Sequence, residues 1–225
     1  MLSKHTYGPR STPVIIPAGQ VKLGGDITIP ANATGIVLFV HGSGSSRMSP
    51  RNRLVAQYLN NAGIATLLFD LLTEDEEEVD SITAHLRFDI ALLANRLIYV
   101  TDWILKNSHT SHLKIGYFGA STGAAAALVG SSKRTSVVKA IVSRGGRPDL
   151  AGNALGLVKC PTLLLVGGYD DVVIDLNKEA FAQIKAEKNL IIIPGATHLF
   201  EEPGKLEEVS TLACNWFLKY LGGKK

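Results

Sequence analysis

Short apolar runs alternate with amphipathic stretches along this chain. The runs 35–40, 65–69, 115–118, 138–142, 162–166 and 190–193 are almost wholly apolar, as strands buried on both faces are. Between them, apolar residues recur at helical spacing. Leu54, Val55, Tyr58 and Leu59 do so within 52–62, and Leu86, Ile90, Leu93, Leu97 and Ile104 within 85–105. Leu176, Ala180 and Ile184 mark a helix over 175–186, and a stripe from Leu206 to Tyr220 marks another over 205–221. The aromatic members of that stripe, Trp216, Phe217 and Tyr220, read as core. Two shorter strands near 14–16 and 21–29 precede the series, with Gly24-Gly25 marking a bend or bulge. They have the look of an antiparallel edge.

Strands alternating with helices predict an α/β fold over 1–225: one domain, a mostly parallel central sheet, right-handed crossovers and helices on both faces. In such sheets ligands bind beyond the carboxyl ends of the strands. Those ends carry the chain's polar segments: His41-Gly42-Ser43-Gly44 after 35–40, Ser143-Arg144-Gly145-Gly146-Arg147 after 138–142, Gly167-Gly168-Tyr169-Asp170-Asp171 after 162–166, and Gly195-Ala196-Thr197-His198 after 190–193.

The organising stretch is 113–123. An apolar strand runs into Gly119-Ala120-Ser121-Thr122-Gly123, and the alanine-rich helix former 124–129 follows. Strand, tight turn and helix form the context in which G-x-S-x-G is a nucleophile elbow. Gly119, Ala120 and Gly123 supply the small neighbours so sharp a turn needs, and the serine oxygen then stands at a helix N-terminus, where free N–H groups hold negative charge.

A serine hydroxyl needs a base to take its proton, an acid to orient that base, and backbone donors for the oxyanion. Of six histidines, His198 follows the last strand directly and is the expected base. His5 lies near the start of the chain. His85, His109 and His112 sit at helix ends or on the amino side of the elbow strand, and His41 opens the loop expected to hold the oxyanion. For the acid, Asp170 is preferred over Asp171, with Glu201 and Glu202 weaker alternatives. The oxyanion donors are expected from the backbone of Ser43 and Thr122. A phosphate-cradling role for the 42–46 loop competes, but the G-x-x-x-x-G-K-[ST] pattern is missing.

Composition narrows the classes further. Net charge is +3, from 23 basic and 20 acidic residues, too mild to argue for nucleic acid or an anionic membrane. Cys160 and Cys214 match no metal spacing, read as buried free thiols and suit a reducing compartment. No metal or cofactor is implied. No leader-like apolar segment opens the sequence, so a cytoplasmic location is expected. The acidic run 74–80 reads as a capped helix start, with Thr73 and Glu76 as its capping box. Arg47, Arg51, Arg144 and Arg147 all fall on strand exits. They are expected to pair with that acidic run, or else one or two of them, Arg144 or Arg147 foremost, hold an anionic group of the substrate.

H-G-S-G, G-Y-F-G-A-S-T-G, G-G-Y-D and G-A-T-H, in that order, resemble the α/β-hydrolase superfamily, and the short open form is similar to its dienelactone hydrolase branch. The resemblance runs from about Val14 to Leu221. It implies Ser121 as nucleophile, Asp170 as acid and His198 as base. The branch's founding enzymes use cysteine at the elbow, and serine here favours ordinary ester hydrolysis. The span 143–161 is too short for a separate cap domain, which implies small or exposed esters. A carboxylesterase working through an acyl-enzyme is therefore the expected activity. A lactone hydrolase, thioesterase, acyltransferase or peptidase on the same triad is the alternative, and a non-catalytic binding module a more distant one.

Overall fold

The structure, a computed structural model, describes residues 9–223. Its strands are β1 (Ser11–Ala18), β2 (Val21–Thr28), β3 (Gly35–Val40), β4 (Ala65–Phe69), β5 (Lys114–Ala120), β6 (Val138–Arg144), β7 (Thr162–Gly167) and β8 (Lys188–Ile193). They form one sheet in the order β1-β2-β4-β3-β5-β6-β7-β8. From β4 to β8 all neighbours are parallel, while β1 and β2 add an antiparallel edge. Every residue of β3, β4 and β7 is buried, which accounts for their unbroken apolar character. The strand order reverses at β3, with β4 on one side and β5 on the other, so a crevice opens between the exits of β3 and β5.

Helices cover both faces. On one lie α3 (Ile90–Lys106) and α4 (Thr122–Lys133); on the other lie α1 (Pro50–Asn61) and α6 (Lys205–Leu221). Val209, Ala213 and Phe217 of α6 are fully buried, with Trp216 and Tyr220 packed at the margin. This is the core role read from their spacing. α2 (Glu74–Thr83) carries the predicted capping box, Thr73 and Glu76 each bonding the other's backbone.

Three expectations shift. Gly24 and Gly25 form no bulge: they pair in regular register with Ile15 and Val14. A Cβ on Gly25 would sit 3.2 Å from both Ile16 and Leu67, so the glycine serves close packing. The stretch 85–105 is broken: a 3₁₀ turn at Leu86–Phe88 precedes α3, because Ala84 stops α2 in a left-handed conformation and Asp89 caps α3 through the Leu92 N–H. Finally, α5 (Asp171–Gln183) starts four residues earlier than its apolar spacing suggested and turns Val173, Ile174, Asn177 and Ala180 inward, leaving Leu176 half-buried.

Candidate active site

Ser121 stands between β5 and α4 with φ 50° and ψ −123°, a conformation that costs a non-glycine residue roughly 1–3 kcal/mol. The neighbouring backbone holds it there. Its N–H donates to the Arg144 carbonyl (3.3 Å), and its carbonyl accepts from the Arg147 and Ala124 N–H groups (3.0 and 3.1 Å). The flanking glycines are sterically obligatory. A Cβ on Gly119 would lie 2.5 Å from the Ala124 Cα, and one on Gly123 would collide with the Val40 and His41 carbonyl oxygens.

Across the β7 and β8 exits, His198 Nδ1 lies 2.6 Å from Asp170 Oδ2. This carboxylate fixes the imidazole with Nε2 as its free nitrogen. Asp170 is mostly buried and His198 about one-third exposed. Asp171 is exposed in the first turn of α5. The two exits interlock: Gly168 and Tyr169 donate to the Ile193 and Ala196 carbonyls, and a side chain on Gly167 would strike the Thr197 oxygen. Gly145 joins the serine and histidine halves. It follows Arg144, whose carbonyl accepts from Ser121, and its Cα packs so closely that a Cβ there would be 3.5 Å from His198 Cε1.

The third element is the β3 exit. The Ser43 N–H donates to Thr122 Oγ1 at 3.1 Å, so both expected oxyanion residues meet beside Ser121. Gly42 lies against Ser121 itself, where an added Cβ would be 2.8 Å from the serine Cβ. The phosphate-cradle reading of this loop weakens, because the Ser45 N–H is engaged by the Gly42 carbonyl. Next to the loop opens a cleft of about 340 Å³ bordered by His41, Ser45, Ser46, Asp70, Glu74 and Glu77. A larger hollow of about 500 Å³, between the β1–β2 edge and α1, lies away from these residues.

The four strand-exit arginines do not pair with the acidic run as expected. Arg47 bonds Asp70, Arg51 bonds Glu201 at 2.6 Å, and Arg147 holds Asp149 through two bonds of 2.9 and 2.8 Å. The partners of the run are Arg96, on Glu76, and Arg87, on Asp80. Arg144 is buried, and its Nε and Nη1 meet no hydrogen-bond partner. Burial, aided by the charge of Arg51, lowers its pKa to about 10, which leaves it cationic at neutral pH.

Arg87 escaped the sequence reading, and Glu202, weighed there only as a weaker alternative for the acid, has another place. Glu202 accepts the Thr197 N–H and so braces the loop carrying His198, a bond that holds its carboxyl below the usual range. Arg87 reaches the oxyanion-side loop, its Nη1 lying 3.7 Å from where a Gly44 Cβ would stand. Neither belongs to a motif; only the fold brings them to the site. Among the described residues no group of three His, Cys, Asp or Glu could hold a metal ion. Among those residues, too, no helix is long and apolar enough to cross a membrane. His5 lies outside the described residues.

The sheet order, the strained serine turn and the β3, β7 and β8 exit loops define an α/β-hydrolase. The profile of the Dienelactone hydrolase family matches residues 24–220, and the chain belongs to that family. It is 60% identical to the crystallised dienelactone hydrolase from Anabaena variabilis, covering 96% of this chain and all of that one, with a TM-score of 0.94. Est1E from Butyrivibrio proteoclasticus shares the fold at 17% identity, with a TM-score of 0.77 over 92% of this chain and 98% of its own. A Mycobacterium tuberculosis protein provisionally named a phosphoribosyl transferase is 56% identical over 214 residues. That match takes in 95% of this chain but only 47% of the relative, so the chain spans about half the length of that protein.

Proposed function

We propose that this hydrolase is a serine esterase acting on small carboxylic esters. Ser121 attacks the acyl carbon while His198 takes its proton, and Asp170 stabilises the imidazolium that forms. The N–H groups of Ser43 and Thr122 receive the oxyanion, the substrate oxygen replacing the Thr122 hydroxyl on the Ser43 N–H. His198 returns the proton to the departing alcohol, and water, deprotonated by the same histidine, then releases the acyl group. The observation that carries this reading is the 2.6 Å Asp170–His198 contact on the loops flanking a strained serine.

Replacing Ser121 with alanine tests it. The variant should fold as the parent does, since the turn is held by backbone bonds, and lose at least about a thousandfold in turnover of p-nitrophenyl esters. A folded Ser121→Ala protein with near-parental turnover would sink the mechanism.

A second reading, lactone hydrolysis, is favoured by the name of the Anabaena relative. It uses the same nucleophile on a cyclic ester, and competing a lactone against an open-chain ester separates the two. Phosphoribosyl transfer, the activity in the name of the M. tuberculosis relative, would need backbone donors free for a diphosphate. The Ser45 N–H, held by the Gly42 carbonyl, and the missing G-x-x-x-x-G-K-[ST] pattern argue against it.

A further inference from the structure

Between the acid and the nucleophile stands a buried amide that the proposed ester chemistry leaves unused. Asn177, two turns into α5, is fully buried. Its Nδ2 lies 3.0 Å from the Gly146 carbonyl oxygen and 2.8 Å from that of Val173. Both neighbours are acceptors, so the amide nitrogen faces them and both of its hydrogens are engaged. Oδ1 is buried too and has no partner. An orphaned buried acceptor lowers stability, a loss that an apolar side chain avoids. Packing alone would therefore not choose asparagine here. What the amide does hold is the backbone of Gly146.

Gly146 is central to the segment that supports Ser121. Before it, the Arg144 carbonyl accepts from the Ser121 N–H; after it, the Arg147 N–H donates to the Ser121 carbonyl. Gly146 itself is wedged, since a Cβ there would strike Ser143 Oγ and the Ala124 Cβ in the first turn of α4. Its neighbour Gly145 packs on the histidine loop, where an added Cβ would be 2.9 Å from the His198 carbonyl oxygen. On the other side, α5 begins directly after Asp170, whose carboxylate holds His198. Among the described residues, the Asn177 bond is the one side-chain hydrogen bond between α5 and the β6 exit.

We propose that Asn177 is a positioning residue: by holding the Gly146 carbonyl it fixes the 144–147 segment, and through it Ser121, relative to the Asp170–His198 pair. The role rests on the serine esterase reading above. Proton transfer needs the serine oxygen within reach of His198 Nε2, and a misplacement of about 1 Å can cost roughly a hundredfold in rate. Asn177 touches neither substrate nor reacting atoms, so its loss is expected in kcat and not in KM.

Two variants test this. Asn177→Ala deletes both bonds. Asn177→Ser leaves a hydroxyl that bonds the carbonyl four residues back, as serine does in helices, but that stops short of Gly146. It also fills more of the site, which keeps the test available if the alanine variant fails to fold. The control is Thr110→Ala, which removes another fully buried side-chain bond, 2.7 Å to the Ile104 carbonyl, in the turn before β5 and away from the carboxyl edge. Turnover of p-nitrophenyl esters, the rate at which an organophosphonate labels Ser121, and urea midpoints are measured for all three variants, the parent and Ser121→Ala. Both Asn177 variants should lose tenfold or more in kcat and in labelling rate, with KM within about twofold of the parent. Thr110→Ala should lose stability while its kcat and labelling stay parental. Parental kcat and labelling in whichever Asn177 variant folds, or a fall in Thr110→Ala equal to theirs, overturns the positioning role; an inactive Ser121→Ala beside that result leaves the esterase reading standing. An active Ser121→Ala overturns the esterase reading and the role built on it.

Discussion

Two halves of the carboxyl edge are built by different means. Around β5, β6, β7 and β8, backbone packs on backbone: Gly119 against Ala124, Gly123 against the β3 exit, Gly167 against Thr197. Around β3 and β4, side chains do the holding. His41 bonds Leu71, Arg47 bonds Asp70, and Asp80 gathers the N–H groups of Leu86 and Arg87 together with the Arg87 guanidinium. The first kind of contact is indifferent to pH and salt and intolerant of any added atom. The second accepts changes of shape but titrates and is screened. The Ser121 turn and the Asp170–His198 pair are thus seated in the rigid half, and the Ser43 loop with the cleft beside it lies in the adjustable one.

The rigid half gives the largest expected effect. Asp170→Asn should lower ester turnover by at least about a hundredfold, because the carboxylate that fixes the imidazole tautomer is lost; the equivalent change costs about ten-thousandfold in serine proteases. Asp171→Asn, on the exposed first turn of α5, should stay within a few-fold of the parent. Steady-state rates of the two purified variants decide it, and a crippled Asp171→Asn beside a healthy Asp170→Asn would move the acid by one residue.

The same contrast explains what could be read in advance. Strands buried on both faces and the G-x-S-x-G turn write themselves into composition, so β3 to β7 and the serine turn were legible; β8, an edge strand with only Ile193 buried, still showed its apolar run, and Asp170 and His198 were picked by their order on the strand exits. Glycine alone was ambiguous. Gly123 needs to be small because of residues 40 and 41; of the Gly24-Gly25 pair, which resembled a bulge, Gly25 is pressed by β1 and β4 and Gly24 by the Arg47 side chain. The start of α3 was misread because its apolar stripe continues through the 3₁₀ turn, while the polar residues that break the helix, Asp80 and Asp89, act through side-chain bonds that periodicity does not see. Least legible were the arginines. Arg144 and Arg147 sit three residues apart on one exit, yet one meets Asp149 at the surface and the other is buried without a counter-ion.

A smaller effect, on stability, sharpens the comparison. Gly123→Ala adds a methyl where the Val40 and His41 carbonyls already stand. Backbone oxygens cannot rotate away, so the loss should reach about 2 kcal/mol or more. Gly156→Ala meets nothing within 4 Å and should shift stability by well under about 1 kcal/mol. Urea denaturation of both variants gives the two numbers, and equal values would mean that the elbow half is looser than its geometry states.

The smallest expected effect belongs to the adjustable half and appears only in acid. His41 is 6% exposed, with Nδ1 3.0 Å from the Gly42 carbonyl and Nε2 3.0 Å from the Leu71 nitrogen. A backbone N–H can only donate, so Nε2 must be unprotonated, and Nδ1–H donates to Gly42. Burial lowers the His41 pKa below its ordinary 6.5, and this outweighs the Gly42 bond and the nearby Asp70 and Glu77 charges, which raise it. The unfolded chain therefore takes up a proton at His41 before the folded one does. Stability is retained above pH 6.5 and lost as pH falls from there through the folded-state value, at no more than about 1.4 kcal/mol per pH unit. His41→Gln offers an amide oxygen to the Leu71 N–H and does not titrate. Its stability at pH 8 should lie somewhat below the parent's, and its decline between pH 6.5 and 5 should be shallower. Urea midpoints at four or five pH values measure both slopes. Parallel declines would remove His41 from the acid response and leave it to groups the two proteins share.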